Sequence, residues 1–304
     1  MNIQHIGMVG YGEVGKIFCA ALQSHVARVS AWDRTFDPEA TPVNPHNAAL
    51  AHAAQAGVVA STSLQDLCEG GVDIIISAVT ASNTLAVAQA AAQHIRVGTI
   101  FLDLNSASPG TKQQAAQLID AAGGHYVEAG VMTSVPPYGI RVPMLLGGAY
   151  AAELADTLNG WGMDAKAVAT EIGIASAIKM CRSVMIKGLE ALVIESYTTA
   201  RHYGVEDHMI PTLAETFPSI DWQKTGAYFF SRVAQHGKRR AEEMREAANT
   251  VQEAGFEPWM AAAIVGKHDW VAQQSAAGVF QDLPQGAIWQ DYADRLLAAR
   301  TPES

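Results

Sequence analysis

The chain has 304 residues, of which 49% are apolar, and it carries a formal net charge of −10. This length and composition predict one large or two ordinary folded domains and exclude a chain that is disordered overall. The acidic balance, with no basic run longer than Lys238-Arg239-Arg240, excludes a nucleic-acid surface, because clustered Lys and Arg supply most of the affinity there.

The sequence predicts a cytoplasmic protein without a membrane partner. Its apolar runs are shorter than the about 18 residues that a membrane span needs, and residues 1 to 5 lack the pattern of a signal peptide. Cys19, Cys68 and Cys181 are odd in number, far apart and without metal-ligand spacing. We therefore expect three buried thiols and no metal site.

The glycine-rich stretch at residues 7 to 15 lies between an apolar run and a helix-like run. Glycine at positions 10 and 12 lets the backbone turn and approach a pyrophosphate, and glycine at 15 lets the helix pack on the strand. Free amides at the helix start attract negative charge. The stretch therefore predicts a dinucleotide-binding turn whose cofactor contacts come from Gly10, Tyr11, Gly12, Glu13, Val14 and Gly15.

An acidic residue follows the next predicted strand, at the distance typical of dinucleotide-binding sheets. Residues 26 to 32 form this strand, and Asp33 and Arg34 follow it. A carboxylate there accepts hydrogen bonds from the ribose hydroxyls and repels a 2′-phosphate, so Asp33 favours NAD over NADP. NADP stays open because the Arg34 guanidinium is suited to that phosphate, and the alternative is that Asp33 merely ends the strand.

Helix and strand patterns then alternate as in a doubly wound α/β sheet. After a proline-containing loop at residues 35 to 47, the expected elements are helices at 48 to 56 and 84 to 95 and strands at 58 to 60, 72 to 79 and 99 to 102. The run at 72 to 79 is continuously apolar and β-branched, which is typical of a central parallel strand covered on both faces. The first domain is therefore predicted to be a Rossmann-type NAD(P)-binding domain.

Small polar residues follow two of these strands, at the sheet edge where ligands bind in α/β proteins. Val79 and Thr80 end the first strand, and Asn105 and Ser106 follow the second. We expect Val79, Thr80 and Asn105 to contact the cofactor and Ser106 to contact the substrate. The alternative is that Ser106 or Ser108 only caps the helix that follows.

A loop rich in glycine and proline connects two further predicted strands, at residues 126 to 128 and 142 to 146. Because it lies beside the cofactor edge, this loop is expected to form one wall of a substrate pocket, with Met132 and Thr133. Alternatively, its Pro-Pro pair only fixes a tight connection between the strands.

The pattern changes after residue 162, where strand-like runs disappear and helical patterns follow. We therefore place a domain boundary near residue 165, with a Rossmann domain at 1–165 and a helical substrate and dimerisation domain at 166–304. Loops in the helical part are expected at Pro211, Pro218, Pro258 and Pro284.

The helix predicted at residues 173 to 203 carries two sets of spaced residues. Ser176, Lys179, Ser183 and Lys187 recur at helical spacing and form one polar stripe. Burial lowers the pKa of a lysine, which would equip Lys179 to exchange a proton near neutral pH; alternatively, the stripe faces solvent or pairs with acidic residues. The apolar positions expected to be buried are Ile174, Ile178, Val184, Ile186, Leu189, Leu192 and Val193.

Four motifs occur in the order of the β-hydroxyacid dehydrogenase family, and residues 3 to about 205 resemble that family. They are the glycine turn, residues 103–109, the loop at 128–139 and the helix start at 173–179. The family includes 3-hydroxyisobutyrate, tartronate semialdehyde and 6-phosphogluconate dehydrogenases. The resemblance implies an NAD(P)-dependent oxidoreductase for a small anionic hydroxy acid, or its oxo acid or semialdehyde, with Lys179 as general acid/base. It also implies a homodimer or a higher homo-oligomer.

The chain departs from the family where the substrate is expected to bind. The Asp-x-Ser-Thr-x-x-Pro motif of the family is matched with Asn105 in place of its serine. The Asp-Ala-Pro-Val-Ser-Gly-Gly loop is matched loosely by residues 128 to 134, so that Met132 and Thr133 replace serine and glycine. Ser183 replaces an asparagine. The resemblance therefore implies the reaction type and leaves the substrate open, with Thr133 and Ser183 among the residues that orient it.

The carboxyl-terminal half resembles a branch of the family described as phosphogluconate-dehydrogenase-like, around residues 236 to 244. Where most relatives carry a Lys-Asp pair near the nicotinamide, this chain has Glu242-Glu243. His236 and Arg240 are candidates for binding an anionic substrate, since a guanidinium suits a carboxylate. Alternatively, this stretch is a solvated basic turn at a helix start, whose cations pair with nearby glutamates.

Two other functions remain open. An imine reductase shares this architecture and cofactor, but those enzymes usually carry Asp or Tyr in place of the lysine. The second alternative is a non-catalytic dinucleotide sensor or interaction protein, which is typical of family members that lose the lysine. Lys179 counts against both alternatives.

Overall fold

The computed structural model describes residues 1–36 and 48–300. Most of the loop predicted at residues 35 to 47 lies outside the described residues. The chain divides into two compact units, Met1–Met180 and Cys181–Ser304. The first unit is an α/β sheet and the second is helical, so the predicted fold class is confirmed.

The first unit contains strands and helices in alternation. The strands are β1 (His5–Val9), β2 (Arg28–Trp32), β3 (Val59–Ala60), β4 (Ile74–Ser77), β5 (Ile100–Asp103), β6 (His125–Val131), β7 (Pro143–Gly147) and β8 (Asp164–Ala169). The helices are α1 (Glu13–Leu22), α2 (Ala48–Gln55), α3 (Leu64–Glu69), α4 (Thr84–Ala92), α5 (Pro109–Ala121) and α6 (Ala151–Gly160). A long helix, α7 (Ile174–Tyr203), begins in this unit and continues into the second.

The strands form one sheet in the order β3-β2-β1-β4-β5-β6-β7-β8. Neighbouring strands from β3 to β6 are parallel, whereas β7 is antiparallel to β6 and β8 is parallel to β7. The strand order reverses beside β1, and ligands bind at such a reversal, outside the carboxyl ends of the strands. The register aligns Val9, Ser77, Asp103 and Glu128 across the sheet, so the loops after β1, β4 and β5 begin at one edge.

Both faces of the sheet are covered by apolar side chains. On β4, Ile74 and Ile76 belong to a core that also contains Phe18 of α1. Ile75, between them, belongs to the core on the other face, together with Phe101 of β5. Alternate residues therefore pack on opposite faces, which explains why the sequence of this strand is continuously apolar.

Three elements of the first unit differ from the prediction. The strand β8 follows the point where strands were expected to end, and its Asp164 and Lys166 are exposed. An edge strand with a solvated face lacks the continuous apolar run of a central strand. The boundary expected near residue 165 falls inside β8, and the compact units divide after Met180. The helices α3 and α6 are absent from the prediction, although Ser63 caps α3 by accepting a hydrogen bond from Asp66 N.

The second unit consists of the remainder of α7 and of α8 (Glu206–Thr216), α9 (Trp222–Glu253), α10 (Trp259–Ala276) and α11 (Trp289–Ala298). Tyr197, Phe230 and Trp289 lie in its core. Pro211 lies inside α8 and not in a loop, at an exposed position where the missing amide leaves no buried carbonyl unpaired. The backbone of α9 is irregular at His236, with φ −132° and ψ 16°, and residues 238 to 240 are part of this helix.

The predicted helix α7 is present, but only part of the apolar set expected to be buried is so: Val193 is buried, and Val184 and Leu189 are partly buried. Ile174, Ile178 and Leu192 are 44%, 41% and 54% exposed, and Ile186 is also exposed. The polar residues of the predicted stripe that are buried are Ser176, Ser183 and Lys187. The buried polar side chains have hydrogen-bonding partners, described below, which periodicity alone does not reveal.

The cysteines differ in their surroundings. Cys19 and Cys68 are buried, as predicted, and burial raises the pKa of each thiol to about 12. Cys181 is exposed, contrary to the prediction, because it lies on the solvent-facing side of α7. Within residues 1–36 and 48–300, no helix is long and apolar enough to cross a membrane.

Candidate active site

The glycine turn connects β1 to α1 at the reversal of the strand order. Gly10 has φ +93°, and a Cβ there would overlap the carbonyl oxygen of Ala78, which follows β4. A Cβ at Gly15 would overlap the carbonyl oxygen of Gly10. These two glycines are therefore required by the fold itself, because neither site leaves room for a side chain.

Gly12 is different, because a Cβ built there has no atom of the chain within 4 Å. It is the residue that precedes α1, and its φ of −75° is open to any residue. The first amides of α1 have no acceptor within the helix and bear a partial positive charge. Open space beside such amides fits the pyrophosphate of a dinucleotide, so the residues of this turn are suited to hold one.

Tyr11 and Asp33 connect the turn to the end of β2. The Tyr11 amide donates a hydrogen bond of 2.7 Å to Asp33 Oδ2, and Asp33 Oδ1 accepts from the amide and hydroxyl of Thr35. The Tyr11 side chain is buried, with its hydroxyl 3.1 Å from Nδ1 of His52, and burial raises its pKa to about 12. The predicted cofactor contact of Tyr11 is therefore limited to its backbone, whereas Arg34 is exposed.

Asn105 connects the loops that follow β4 and β5. Its Oδ1 accepts from the Val79 amide at 2.7 Å, and its Nδ2 donates to Ser77 Oγ at 3.0 Å. Thr80 is exposed just beyond this contact and accepts a hydrogen bond from the side chain of Asn83. The predicted cofactor residues Val79, Thr80 and Asn105 are thus brought together at one edge of the sheet.

A buried ion pair, which the sequence interpretation missed, fixes the loop after β5. Lys112 is fully buried, and its Nζ lies 2.9 Å from Asp103 Oδ1 and 3.0 Å from the Asp103 carbonyl oxygen. The hydroxyl of Tyr126 donates to Asp103 Oδ2 at 2.5 Å. Burial, and then the charge of Asp103, raises the pKa of Tyr126 well above its ordinary value. This loop therefore has a rigid base on which Asn105 and Ser106 are held.

Lys179 and Ser106 meet within the first unit. Lys179 Nζ donates a hydrogen bond of 2.5 Å to Ser106 Oγ, and both side chains are partly exposed. The cap of α5 is provided by Ser108, which accepts from the Thr111 amide at 3.3 Å. Of the two serines considered for a capping role, Ser108 takes it, and Ser106 is directed toward the lysine.

The substrate loop follows β6. Met132 is partly exposed, and its amide donates to the Pro143 carbonyl at 2.9 Å, while Thr133 is exposed. A Cβ at Gly130 would lie 2.9 Å from the carbonyl oxygen of Ala175 and 3.5 Å from Lys179 Cβ. The glycine at this position therefore allows α7 to pack closely against β6, beside Lys179.

The remaining predicted substrate residues lie in the helical unit. Ser183 is buried and accepts from Lys187 Nζ at 3.1 Å. Arg240 is buried and binds the carboxylate of Glu190 through Nε, at 2.8 Å, and through Nη2. His236 is partly exposed. Arg240 therefore has a partner from α7 and not one of the nearby glutamates of α9, and the substrate contacts of these residues stay predictions.

Glu243 and His268 adjoin this buried cluster. Lys187 Nζ lies 2.9 Å from Glu243 Oε2, and Arg239 approaches the same carboxylate at 3.9 Å. His268 is fully buried with Nε2 3.8 Å from Glu190, and neither of its ring nitrogens has a hydrogen-bond partner among the described residues. Burial is the main cause that lowers the pKa of His268 to about 3, so the imidazole is neutral at pH 7.

Two family descriptions match the chain. Residues 5–137 match the NAD binding domain of 6-phosphogluconate dehydrogenase, and residues 200–271 match a domain of unknown function, DUF1932. The chain is 37% identical to a conserved hypothetical protein from Sinorhizobium meliloti, with 98% of this chain and 97% of that one covered and a TM-score of 0.76. The chain belongs to the β-hydroxyacid dehydrogenase-like family.

Other solved members and fold relatives agree with this assignment. A conserved protein of unknown function, described as structurally similar to 3-hydroxyacid dehydrogenases, is 30% identical, with 90% of this chain and 99% of that one covered and a TM-score of 0.68. The 3-hydroxyisobutyrate dehydrogenase of Mycobacterium tuberculosis is 16% identical over 99% and 100% of the two chains, with a TM-score of 0.70, and at that identity only the fold is shared.

Membership of the β-hydroxyacid dehydrogenase-like family determines the general chemistry. The cofactor is a nicotinamide dinucleotide, and the protein has the fold of NAD(P)-dependent oxidoreductases. The glycine turn, Asp33 and the loops at Val79 and Asn105 all lie in the part of the chain that matches the NAD-binding family.

Proposed function

We propose that this protein interconverts a small hydroxy acid of the β-hydroxyacid type and its oxo acid or semialdehyde, with Lys179 as general acid/base. The observation that carries the proposal is the 2.5 Å hydrogen bond between Lys179 Nζ and Ser106 Oγ beside the cofactor edge. A lysine held by a hydroxyl at such an edge is suited to transfer a proton to or from a substrate oxygen.

The cofactor would be held by residues already described. The amides at the start of α1 and the space at Gly12 would receive the pyrophosphate, and Asp33 the ribose. Asp33 Oδ1 already accepts two hydrogen bonds from Thr35, whereas Oδ2 accepts one from the Tyr11 amide and keeps a second lone pair for a ribose hydroxyl. A carboxylate at this position favours NAD over NADP. When bound, the nicotinamide accepts or donates the hydride.

The proton is handled by Lys179. In oxidation the neutral amine takes the proton of the substrate hydroxyl, and in reduction the ammonium returns it to the carbonyl oxygen. Ser106 accepts a hydrogen bond from the ammonium and can donate one to the neutral amine, so its hydroxyl orients both forms of the lysine. Thr133 and Ser183 would orient the rest of the substrate.

The substrate is proposed to be a small anion. The substrate-binding motif of the family is altered here, because Met132 and Thr133 make this wall bulkier and differently polar. His236 and Arg240 would supply positive charge from the helical unit. Since Arg240 is already paired with Glu190, its contribution would be shared with that carboxylate.

The experiment that tests this proposal compares Lys179→Ala with the wild-type chain. Turnover is measured on a panel of small hydroxy acids with NAD and NADP, and cofactor binding is measured by fluorescence titration. Lys179→Ala should lower kcat by about 10²- to 10⁴-fold, as is usual for a general acid/base, with little change in cofactor affinity. The same titrations give the preference between NAD and NADP.

The outcome that would contradict the proposal is near-normal turnover in Lys179→Ala. Cyclic imines belong in the panel, because turnover of imines without turnover of hydroxy acids would replace the proposed reaction by imine reduction. Tight cofactor binding by the wild-type chain, with no turnover on the whole panel, would favour the non-catalytic sensor.

A further inference from the structure

Glu128 is a fully buried carboxylate on β6 that the proposed chemistry does not use. Its Oε1 accepts from the amides of Gly173 and Ala175 at 2.7 and 3.0 Å. Its Oε2 accepts from the Ser176 amide at 3.3 Å and from Ser176 Oγ at 2.6 Å. All four donors lie in the first turn of α7 or directly before it. This one carboxylate therefore accepts the hydrogen bonds of the beginning of that helix.

This contact replaces the usual cap of a helix. The first amides of a helix have no acceptor within it, and a side chain directly before the helix normally provides one. The residue before α7 is Gly173, which has φ +110° and no side chain. The acceptor comes instead from Glu128, 45 residues earlier in the chain, and its negative charge suits the positive end of the helix. The start of α7 is therefore attached to the sheet.

The same strand also sets the distance between α7 and the sheet beside Lys179. Gly130 lies two residues after Glu128 and thus on the same face of β6, and it allows the approach of Ala175 and of the Lys179 stem. Ser106, which accepts the hydrogen bond of Lys179, follows β5, and β5 pairs directly with β6. Both members of the Lys179–Ser106 pair are therefore positioned by adjacent strands.

We propose that Glu128 is a positioning residue, which fixes the orientation of Lys179 toward Ser106 by binding the start of α7 to β6. This inference rests on the proposed role of Lys179 as general acid/base. Glu128 does not touch the reacting atoms, and it acts through the helix that carries the lysine.

The test uses two substitutions of similar size in the full-length protein. Glu128→Gln keeps the shape, but its amide nitrogen cannot accept the hydrogen bonds of the backbone amides. Glu128→Asp keeps the charge on a shorter side chain. In Glu128→Gln, kcat should fall by about 10- to 100-fold, with KM for the cofactor unchanged, because displacement of a catalytic group lowers turnover more than binding.

The pH dependence of kcat gives a second measurement. Glu128→Gln removes a negative charge from the first turn of the helix that carries Lys179. Because a lost negative charge favours the neutral amine, the limb of the profile that reports the lysine proton should move to lower pH. Glu128→Asp should keep the limb in place and recover part of kcat. A residue that only stabilised the fold would leave the limb in place and would lower kcat only in proportion to the unfolded fraction of the protein.

Asp221→Ala is the matched control, because Asp221 also caps a long helix, accepting from the Lys224 amide at 3.0 Å, but in the helical unit. It should leave kcat and the limb unchanged. If Glu128→Gln does not fold, Ser176→Ala replaces it. It removes the 2.6 Å hydrogen bond to Glu128 and a 3.2 Å one to the Gly173 carbonyl, keeps the amide contacts of Glu128, and should produce a smaller change of the same kind.

Unchanged kcat and an unmoved limb in the folded variant, Glu128→Gln or Ser176→Ala, would overturn the inference if Lys179→Ala abolishes turnover. Circular dichroism measures the unfolded fraction of each variant at each pH. A decrease of kcat in proportion to that fraction would also overturn the inference. Normal turnover in Lys179→Ala would instead mean that the proposed function itself is wrong.

Discussion

Each glycine of the turn between β1 and α1 is required for a different physical reason. Gly10 needs a positive φ, and Gly15 needs the absence of a Cβ beside the Gly10 carbonyl. Gly12 needs neither, because its Cβ position is open. We therefore expect the space at Gly12 to serve the bound cofactor and not the fold, and this difference can be measured.

Gly12→Val should weaken cofactor binding without destabilising the protein. A valine side chain enters the space proposed for the pyrophosphate, so the dissociation constant should rise by about tenfold or more, equivalent to ~1.4 kcal/mol. The melting temperature of the cofactor-free protein should stay within a degree or two, because nothing in the chain contacts that position. Isothermal titration and thermal unfolding measure the two quantities.

Gly10→Ala is the matched control for Gly12→Val. It should destabilise the protein by roughly 1–3 kcal/mol, because it forces a strained φ of +93° and an overlap with Ala78. Unchanged cofactor affinity in Gly12→Val would show that the pyrophosphate lies elsewhere.

At the scale of the element, α7 shows which structural features the spacing of residues can predict. The spacing of its residues predicts the helix and correctly groups Ser176, Ser183 and Lys187 on one face. It does not determine which face is buried, because that depends on partners far along the chain. Glu190 of this helix is bound by Arg240, 50 residues later, and such pairings are invisible in a local pattern.

The loops at the sheet edge follow the same rule. Strand ends predicted the positions of Asn105 and Ser106 because βα alternation is a local pattern. The buried pair of Lys112 with Asp103 was missed. Lys112 lies near the start of a helix, nine residues after Asp103, and a lysine at such a position is normally expected to be solvated. A charged residue is rarely buried unless it is paired, so its burial can be predicted only when its partner is known. Amino-acid composition does not reveal such a pair.

His268 of α10 should make the protein less stable in acid. Its pKa is lowered to about 3, chiefly by burial and then by the charges of Arg240 and Lys187, with Glu243 opposing. Between pH 6.5 and about 3 the unfolded chain binds a proton that the folded protein does not. Stability is therefore fully present above pH 6.5 and falls with pH through this window, with a slope of up to about 1.4 kcal/mol per pH unit.

His268→Phe measures this contribution, because it keeps a ring of similar size and removes nitrogens that have no partner in the described part of the chain. Urea unfolding from pH 7 to pH 4 should show a shallower loss of stability than in the wild-type chain. Burial raises the pKa of the neighbouring Glu190, which acts in the opposite sense, but that residue is present in both proteins. His208→Gln, at an exposed site of the same unit, should retain the wild-type slope, and an equal slope in His268→Phe would contradict the prediction.

At the scale of the whole molecule, the sequence was sufficient for the fold class and for the order of the strands from β1 to β7, whereas α3, α6 and β8 were not predicted. It failed at the boundary between the units, because β8 is an edge strand with a charged face and resembles a loop. The cofactor edge was predicted since its residues follow strands, whereas the contacts of His236 and Arg240 were harder to predict because they depend on helix packing.

A stripe of exposed apolar residues on α7 predicts that the protein forms homo-oligomers. Ile174, Ile178, Met185 and Leu192 are between 41% and 66% exposed, and their spacing of four and seven residues aligns them on one side of the helix. Contiguous exposed apolar surface of this kind usually marks an interaction site. A second copy of the chain is the expected partner, because one helix stripe can pair with its own copy about a two-fold axis.

Light scattering after size exclusion should therefore give the mass of a dimer or a larger closed assembly at micromolar concentration. The double variant Met185→Lys with Leu192→Lys should shift the mass toward that of one chain, because a stable interface must bury about 1,200 Å² or more and lysines at its centre oppose this. Gln65→Lys, at an exposed position of α3, adds the same charge on an element that carries no residue of the stripe and should leave the mass unchanged. A wild-type chain that elutes as a monomer, or a double variant that retains the wild-type mass, would show that this stripe does not hold subunits together.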